Sequence, residues 1–186
     1  MHRLFVAIRL PQPVRAHLLA IMGGVSGARW QSEDQLHLTL RFIGEVDRHQ
    51  AADIDAALAS ILHPPFEIAL ACTGSFEHRG QPAVLWAGLA PQEPLKTLHK
   101  KIDQAIVRTG LEAEGRAYHP HVTLARLPRG GGPIGHFLAS SGALSGPSFP
   151  VDGFCLYESK LTPAGPLYTI VERYRLGWAF SRRHRR

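Results

Sequence analysis

Apolar and polar residues alternate with two different periods along this 186-residue chain, and the changes between the periods mark its elements. The stretch Leu4-Phe5-Val6-Ala7-Ile8 reads as a first strand; with Arg9 and Pro11 following so soon, its apolar part is too short for a signal peptide. Pro13 opens a helix whose apolar positions Val14, Leu18, Ile21 and Met22 share one side, and Gly23-Gly24 ends it. Trp30 and residues 36–43 predict a strand. Asp47 and Gln50 form a capping box for a second helix with the stripe Ile54, Ala57, Leu58, Ile61 and Leu62, stopped by Pro64-Pro65. Residues 66–76 and 83–89 predict two strands around the turn Arg79-Gly80-Gln81-Pro82, and a third helix buries Leu95, Leu98, Ile102, Ala105 and Ile106 before Gly110. A strand over 119–127 comes next. The Gly-, Ser- and Pro-rich stretch 128–147 reads as a surface connection with one short helix over 134–138, and strands over 149–159 and 167–176 finish the pattern.

This order predicts an α+β fold of antiparallel sheets with helices on one side. The length suits one domain of two lobes over residues 1–180, followed by a basic tail, Ser181-Arg182-Arg183-His184-Arg185-Arg186, expected to be disordered. Hydrophobic content of 45% is enough for a core, and no run of eighteen apolar residues predicts a membrane span. Cys72 and Cys155 each sit in apolar surroundings without a Cys-x-x-Cys pattern, which points to buried thiols and a cytoplasmic protein. The net charge of +6 favours a polyanionic partner, although the tail carries part of it.

Two matching tetrapeptides change the picture from fold to chemistry: His37-Leu38-Thr39-Leu40 and His121-Val122-Thr123-Leu124, the two histidines standing 84 positions apart. Composition alone predicts roughly 0.05 copies of His-x-Thr-Leu in such a chain, so a pair is a signal. On a strand each histidine shares a face with its threonine and the apolar residues take the other. Two such strands brought together would make a symmetric acid/base site.

Around these motifs the chain resembles the two-histidine (2H) phosphoesterases, and within them the RNA 2′,3′-cyclic phosphodiesterases, also described as RNA 2′,5′-ligases. The likeness runs through Arg3-Leu4-Phe5-Val6-Ala7-Ile8, Arg29-Trp30, Leu36-His37-Leu38-Thr39-Leu40-Arg41-Phe42-Ile43-Gly44-Glu45-Val46 and Val84-Leu85-Trp86-Ala87-Gly88-Leu89. It continues through His119-Pro120-His121-Val122-Thr123-Leu124-Ala125-Arg126, Leu156-Tyr157-Glu158-Ser159-Lys160-Leu161 and Gly165-Pro166-Leu167-Tyr168. The resemblance implies two pseudo-symmetric lobes, each an antiparallel sheet with helices on its outer face, around a central cleft that takes one His-x-Thr strand from each lobe. It also implies RNA ending in a 2′,3′-cyclic phosphate, or a 2′,5′ linkage, as partner. The basic tail is not part of the family pattern.

The residues support the chemistry independently. Opening a cyclic phosphodiester needs a base for the attacking water and an acid for the departing ribose oxygen, and imidazoles with an ordinary pKa of about 6.5 supply both near neutrality. Thr39 and Thr123 would donate to the nonbridging oxygens. No metal or other cofactor is demanded. By resemblance His37 is the proton donor to the 3′ oxygen and His121 the acceptor, giving a 2′-phosphomonoester; the residues alone allow the swap. Arg41 shares strand parity with His37 and Thr39, so it points into the cleft if the strand runs regularly. Arg126 matches an arginine that contacts phosphate in relatives, but its parity with His121 is wrong unless a bulge intervenes near Ala125. Phe5, Trp30, Trp86, Tyr118, Tyr157 and Tyr168 could stack a base or belong to the core. His119 and His121 could share a zinc ion, but no third ligand cluster lies near them in sequence. The rival readings are a noncatalytic RNA or nucleotide binder on the same cleft, and a phosphodiesterase for small cyclic nucleotides or 2′,5′-oligoadenylate. A monomer is expected.

Overall fold

The computed structural model describes residues 1–163 and 165–177, so the tail expected over 181–186 lies outside the described residues. Among these residues nine strands and four α-helices follow one another, with a short 3-10 helix at Glu33–Gln35: β1 (His2–Arg9), α1 (Gln12–Ile21), β2 (Arg29–Trp30), β3 (His37–Val46), α2 (Arg48–Ala59), β4 (Phe66–His78), β5 (Gln81–Ala90), α3 (Glu93–Val107), β6 (His121–Arg126), α4 (Gly135–Ser141), β7 (Phe149–Val151), β8 (Gly153–Thr162) and β9 (Gly165–Arg175). The helix stripes pack as their spacing predicts: Leu18 of α1, Ile54 and Leu58 of α2, and Leu95, Leu98, Ile102 and Ile106 of α3 are all sealed from solvent. They meet one face of the sheet, contributed by Leu4, Val6 and Ile8 of β1, Leu38 and Leu40 of β3, and Val122 and Leu124 of β6. Burying this continuous apolar layer is the main stabilising term of the fold.

Every strand pairing is antiparallel, in the order β7-β4-β5-β6-β3-β1-β8-β9, with β2 added beside β6. The order divides into two groups of four strands that meet where β3 joins β6, which gives the expected pseudo-symmetric α+β arrangement a physical axis. The β4–β5 hairpin turns through Arg79 and Gly80, both at positive φ, the geometry a two-residue hairpin with right-handed strand twist requires.

The structure departs from the expected elements at three places. The strand expected over 149–159 is two strands: β7 pairs with β4 at one end of the sheet, and after Asp152 the chain enters β8 beside β1 in the other half. Apolar continuity cannot reveal that change of partner, and the crossing ties the two halves together. At α2 the Asp47 carboxylate accepts the Gln50 backbone N–H, but the return bond of a capping box is absent among the described residues; Leu62, placed on that helix's stripe, lies beyond its end and is 54% exposed. The short helix is Gly135–Ser141, beginning one residue later than expected and ending three residues later, with Phe137 anchoring it in the core. No helix of the described residues is long and apolar enough to cross a membrane.

Candidate active site

Leu38 pairs with Val122 where β3 meets β6, and both side chains are fully buried against the helices. The antiparallel register therefore sets His37 beside Thr123 and Thr39 beside His121 on the opposite, half-buried face. The two histidines are diagonal neighbours, a relation that sets such positions about 7–8 Å apart with the β-carbons somewhat closer, and a threonine stands at each of the other two corners. The motifs that chain order separates thus form one four-residue constellation.

The likeness of the two strands extends past the tetrapeptides. Residues 37–42 and 121–126 both alternate half-buried and buried positions, then place two buried residues in succession before an exposed one. The cause is the same bulge in each. Against β1 the register passes from Thr39 opposite Ala7 to Arg41 opposite Val6, skipping Leu40. Against β5 it passes from Thr123 opposite Trp86 to Ala125 opposite Leu85, skipping Leu124. Arg41 accordingly corresponds to Ala125, and Phe42 to Arg126.

That bulge decides the fate of both arginines. Arg126 is turned onto the histidine face, and with His121 and Thr123 it lines a cleft of about 380 Å³. Arg41 is displaced from the parity expected of it: its guanidinium is buried, Nε donates to Asp103 Oδ1 at 2.7 Å, and its two Nη groups reach Glu114 Oε2 and the carbonyls of Phe42 and Glu112. It touches one end of the cleft while its donors are engaged by α3 and the loop after it. Phe42 occupies the place corresponding to Arg126, 58% exposed at the cleft rim.

Each histidine sits in an aromatic setting. His37 lies 4.9 Å from Phe5 and 5.2 Å from Tyr168, centroid to centroid, with Tyr157 stacked on Phe5 behind it. His121 lies edge-on to Phe76 at 4.8 Å, and Phe76 packs on Trp86. Trp86 in turn lies over Gly74, where a β-carbon would come within 2.3 Å of the indole, so only glycine fits there. Burial holds the His37 imidazole down at about 4, against a weaker pull upward from the Gln35 carbonyl, and lowers His121 as well. His121 Nδ1 donates to the His119 carbonyl at 2.7 Å, a bond that leaves Nε2 of the neutral ring with its lone pair. His37 Nδ1 is buried without a hydrogen-bond partner.

Tyr118 closes one end of the cleft. Its hydroxyl donates to the Thr39 carbonyl at 3.1 Å and its ring stacks on His99 at 4.1 Å, linking α3 and the second motif's approach to the first motif's strand. Of the aromatics singled out in sequence, Phe5 and Tyr157 are buried and Trp30, Trp86, Tyr118 and Tyr168 half-buried. Phe42, Phe76 and His99 escaped that reading, although Phe42 follows the first motif at the distance at which Arg126 follows the second. The His119 and His121 rings are 6.3 Å apart, and no cluster of three or more metal-ligating residues occurs among the described residues.

The model of the 2'-5' RNA ligase superfamily matches residues 19–162. The chain belongs to that superfamily. An Archaeoglobus fulgidus protein named RNA 2',3'-cyclic phosphodiesterase is 30% identical over 169 residues, covering 89% of this chain and 96% of its own. Among solved structures, a Thermus thermophilus protein superposes with a TM-score of 0.80 at 32% identity, covering 94% of this chain and 97% of its own. E. coli LigT complexed with 3'-AMP gives a TM-score of 0.76 at 29% identity, with 94% and 98% covered. The bulged pair of His-x-Thr strands is this superfamily member's most concentrated feature, and it lies within the matched residues.

Proposed function

We propose that this protein hydrolyses RNA 2′,3′-cyclic phosphodiester ends to 2′-phosphomonoesters, with two histidines as acid and base and without a metal. The observation that carries the reading is the Leu38–Val122 bridge, which sets two imidazoles and two hydroxyls side by side on one face of the sheet; His121, Thr39 and Thr123 line the cleft, and His37 stands next to them just off its lining. The curated relative from Archaeoglobus fulgidus bears the name of this activity.

In this reading a water oxygen attacks phosphorus while His121 Nε2 takes its proton. The Nδ1 bond to the His119 carbonyl supports that assignment by fixing the tautomer of a base. The P–O3′ bond breaks as His37 gives a proton to the departing oxygen, and the phosphate stays on O2′. An imidazole held at about 4 is neutral when the cleft is empty, so the anionic phosphate is what raises it enough to carry that proton. Thr39, Thr123 and Arg126 donate to the nonbridging oxygens, where charge accumulates. Arg41 acts on the phosphate only through the position of Phe42 and Glu114, since its own donors are taken. A 5′-hydroxyl in place of water gives its proton to His121 and attacks phosphorus as P–O3′ breaks, which makes a 2′,5′ linkage without ATP. A monomer acting on RNA in the cytoplasm accords with the two unbridged cysteines.

The test is incubation with RNA oligomers ending in 2′,3′-cyclic phosphate, in excess EDTA, with mass and linkage analysis of the product. The expected product is a 2′-phosphate. Absence of turnover leaves a binder on the same cleft, and turnover only after zinc is restored overturns metal-independent chemistry.

A further inference from the structure

The histidine face continues away from the cleft across β1, β8 and β9, and it carries cations there. Arg9 is the direct cross-strand partner of His37, on the same parity of β1 as Phe5 and Ala7. Cys155 pairs with Ala7, and Arg173 pairs with Cys155, so Arg173 belongs to this face too; its Nη1 approaches the Cys155 sulfur at 3.9 Å. Both arginines are exposed, and neither guanidinium forms an ion pair among the described residues; the Glu172 carboxylate accepts the Arg173 backbone N–H at 2.8 Å instead. The carboxylates of these strands turn the other way: Glu158 pairs with Leu4 and binds His2, and Glu172 pairs with Leu156 and lines a groove on the helix side. Burial pushes the Cys155 thiol and the Tyr157 phenol up, while the charges of Arg9 and Arg173 pull both down, so the two guanidinium groups act on one shared strip of surface.

Stereochemistry gives that strip an occupant. In an in-line displacement the leaving 3′ oxygen, and with it the ribose, lies on the side of the group that protonates it. With His37 as donor, the nucleoside sits over the half of the sheet built from β3, β1, β8 and β9, beside Phe5, Phe42 and Tyr168. The rest of an RNA leaves that ribose through its 5′ oxygen. Its phosphates then meet exposed cations that no carboxylate of these strands neutralises.

We propose that the RNA upstream of the cyclic phosphate lies across β1, β8 and β9 on Arg9 and Arg173, so that this protein selects an oligonucleotide 3′ end over a mononucleotide cyclic phosphate. The inference rests on the phosphodiesterase reading and on His37 as the donor. Three strand spacings separate β3 from β9, about 14 Å, which is beyond a mononucleotide held at His37 and within reach of an upstream phosphate. Arg9, one strand from His37, starts the track and Arg173 extends it.

The experiment compares kcat/KM for uridine 2′,3′-cyclic phosphate with that for a tetranucleotide ending in the same group, over a range of salt concentrations. In the wild-type protein the oligomer is expected to be the better substrate, with the steeper loss of kcat/KM in salt. Arg173→Ala is expected to cut the ratio of oligomer to mononucleotide kcat/KM by roughly three- to tenfold, Arg173→Lys to restore most of it, and Arg48→Ala, on α2 across the sheet, to leave the ratio alone. No oligomer advantage in the wild type, or an advantage indifferent to Arg173→Ala, overturns the inference while the phosphodiesterase reading stands. Equal loss on both substrates does the same, since it marks a structural role. Turnover of neither substrate by the wild type overturns the reading on which it rests.

Discussion

Arg9 stands directly opposite His37 on the neighbouring strand, so the face that carries the acid/base pair begins its basic margin one residue from the reacting centre. Diagonally across the β3–β6 join lies His121, set by the Leu38–Val122 bridge. Because one backbone register fixes both histidines, their roles separate by substitution without disturbing the core beneath. His37→Ala and His121→Ala are each expected to lower kcat on a 2′,3′-cyclic phosphate by about 10²–10⁴-fold while the far-ultraviolet circular dichroism stays native. A variant of either residue that keeps wild-type turnover removes it from the chemistry.

The environment of the two rings makes a prediction about pH. The acid must be protonated and the base neutral, and burial lowers both imidazoles, His37 to about 4. The bell-shaped profile of kcat/KM, which reports the unliganded protein, is therefore expected to centre below pH 6.5. Measuring it from pH 4 to 8 decides the matter, and a centre at or above pH 7 contradicts the burial argument.

Stability carries the same groups with the opposite consequence. An unfolded chain holds its histidines near an ordinary pKa of about 6.5, so between there and about 4 the unfolded state binds more protons than the native one. The native state has its full stability above that window and loses it as pH falls through it. For His37 the loss at the acid limit is on the order of 3 kcal/mol. His37→Leu, which removes the titration, is expected to flatten the dependence of urea midpoint on pH between 4 and 6.5; an unchanged slope places the effect elsewhere.

The elements and motifs were readable because they obey periodicity. The unbroken apolar run of β1, buried on both faces, and the stripes of α1, α2 and α3 follow from which faces water cannot reach, and both His-x-Thr pairs keep strict strand parity. What escaped the sequence is where parity breaks. The bulges that skip Leu40 and Leu124 carry no distinctive residue, yet they turn Arg41 inward and Phe42 and Arg126 toward the cleft. The exchange of partners at Asp152 is hidden likewise, since Phe149 and Val151 before it and Phe154 to Tyr157 after it are all buried and read as one apolar stretch. Arg9 was within reach of the same parity argument that served His37, but its parity had no meaning until β1 was known to lie beside β3.

Gly74 lets Trp86 lie close against β4, and Trp86 supports Phe76, which packs at right angles to His121. Gly74→Ala places a methyl where the indole already is, an overpacking expected to cost about 1–3 kcal/mol. A lower unfolding temperature with reduced kcat is the expected result. An unchanged unfolding temperature shows that the indole can move aside without consequence.

The two arginines after the motifs should behave as different kinds of residue, although sequence sets them both beside the phosphate. Arg41 is enclosed by Asp103, Glu114 and two backbone carbonyls, and removing it strands carboxylates that were desolvated in its company. Arg41→Met is expected to destabilise the fold by roughly 3–5 kcal/mol, the range for breaking a buried pair from one side, with KM little altered in the molecules that remain folded. Arg126 is exposed, without a carboxylate within 4.0 Å among the described residues, and faces the cleft with His121 and Thr123. Arg126→Ala is expected to leave the unfolding temperature within about a degree or two and to lower kcat/KM by about ten- to a hundredfold through the lost charge on the phosphate. Thermal unfolding and steady-state kinetics on both variants separate the cases. Should Arg41→Met spare stability and strike substrate affinity instead, its guanidinium must leave Asp103 when phosphate binds, and the resting ion pairs would be a store from which the cleft draws a second cation.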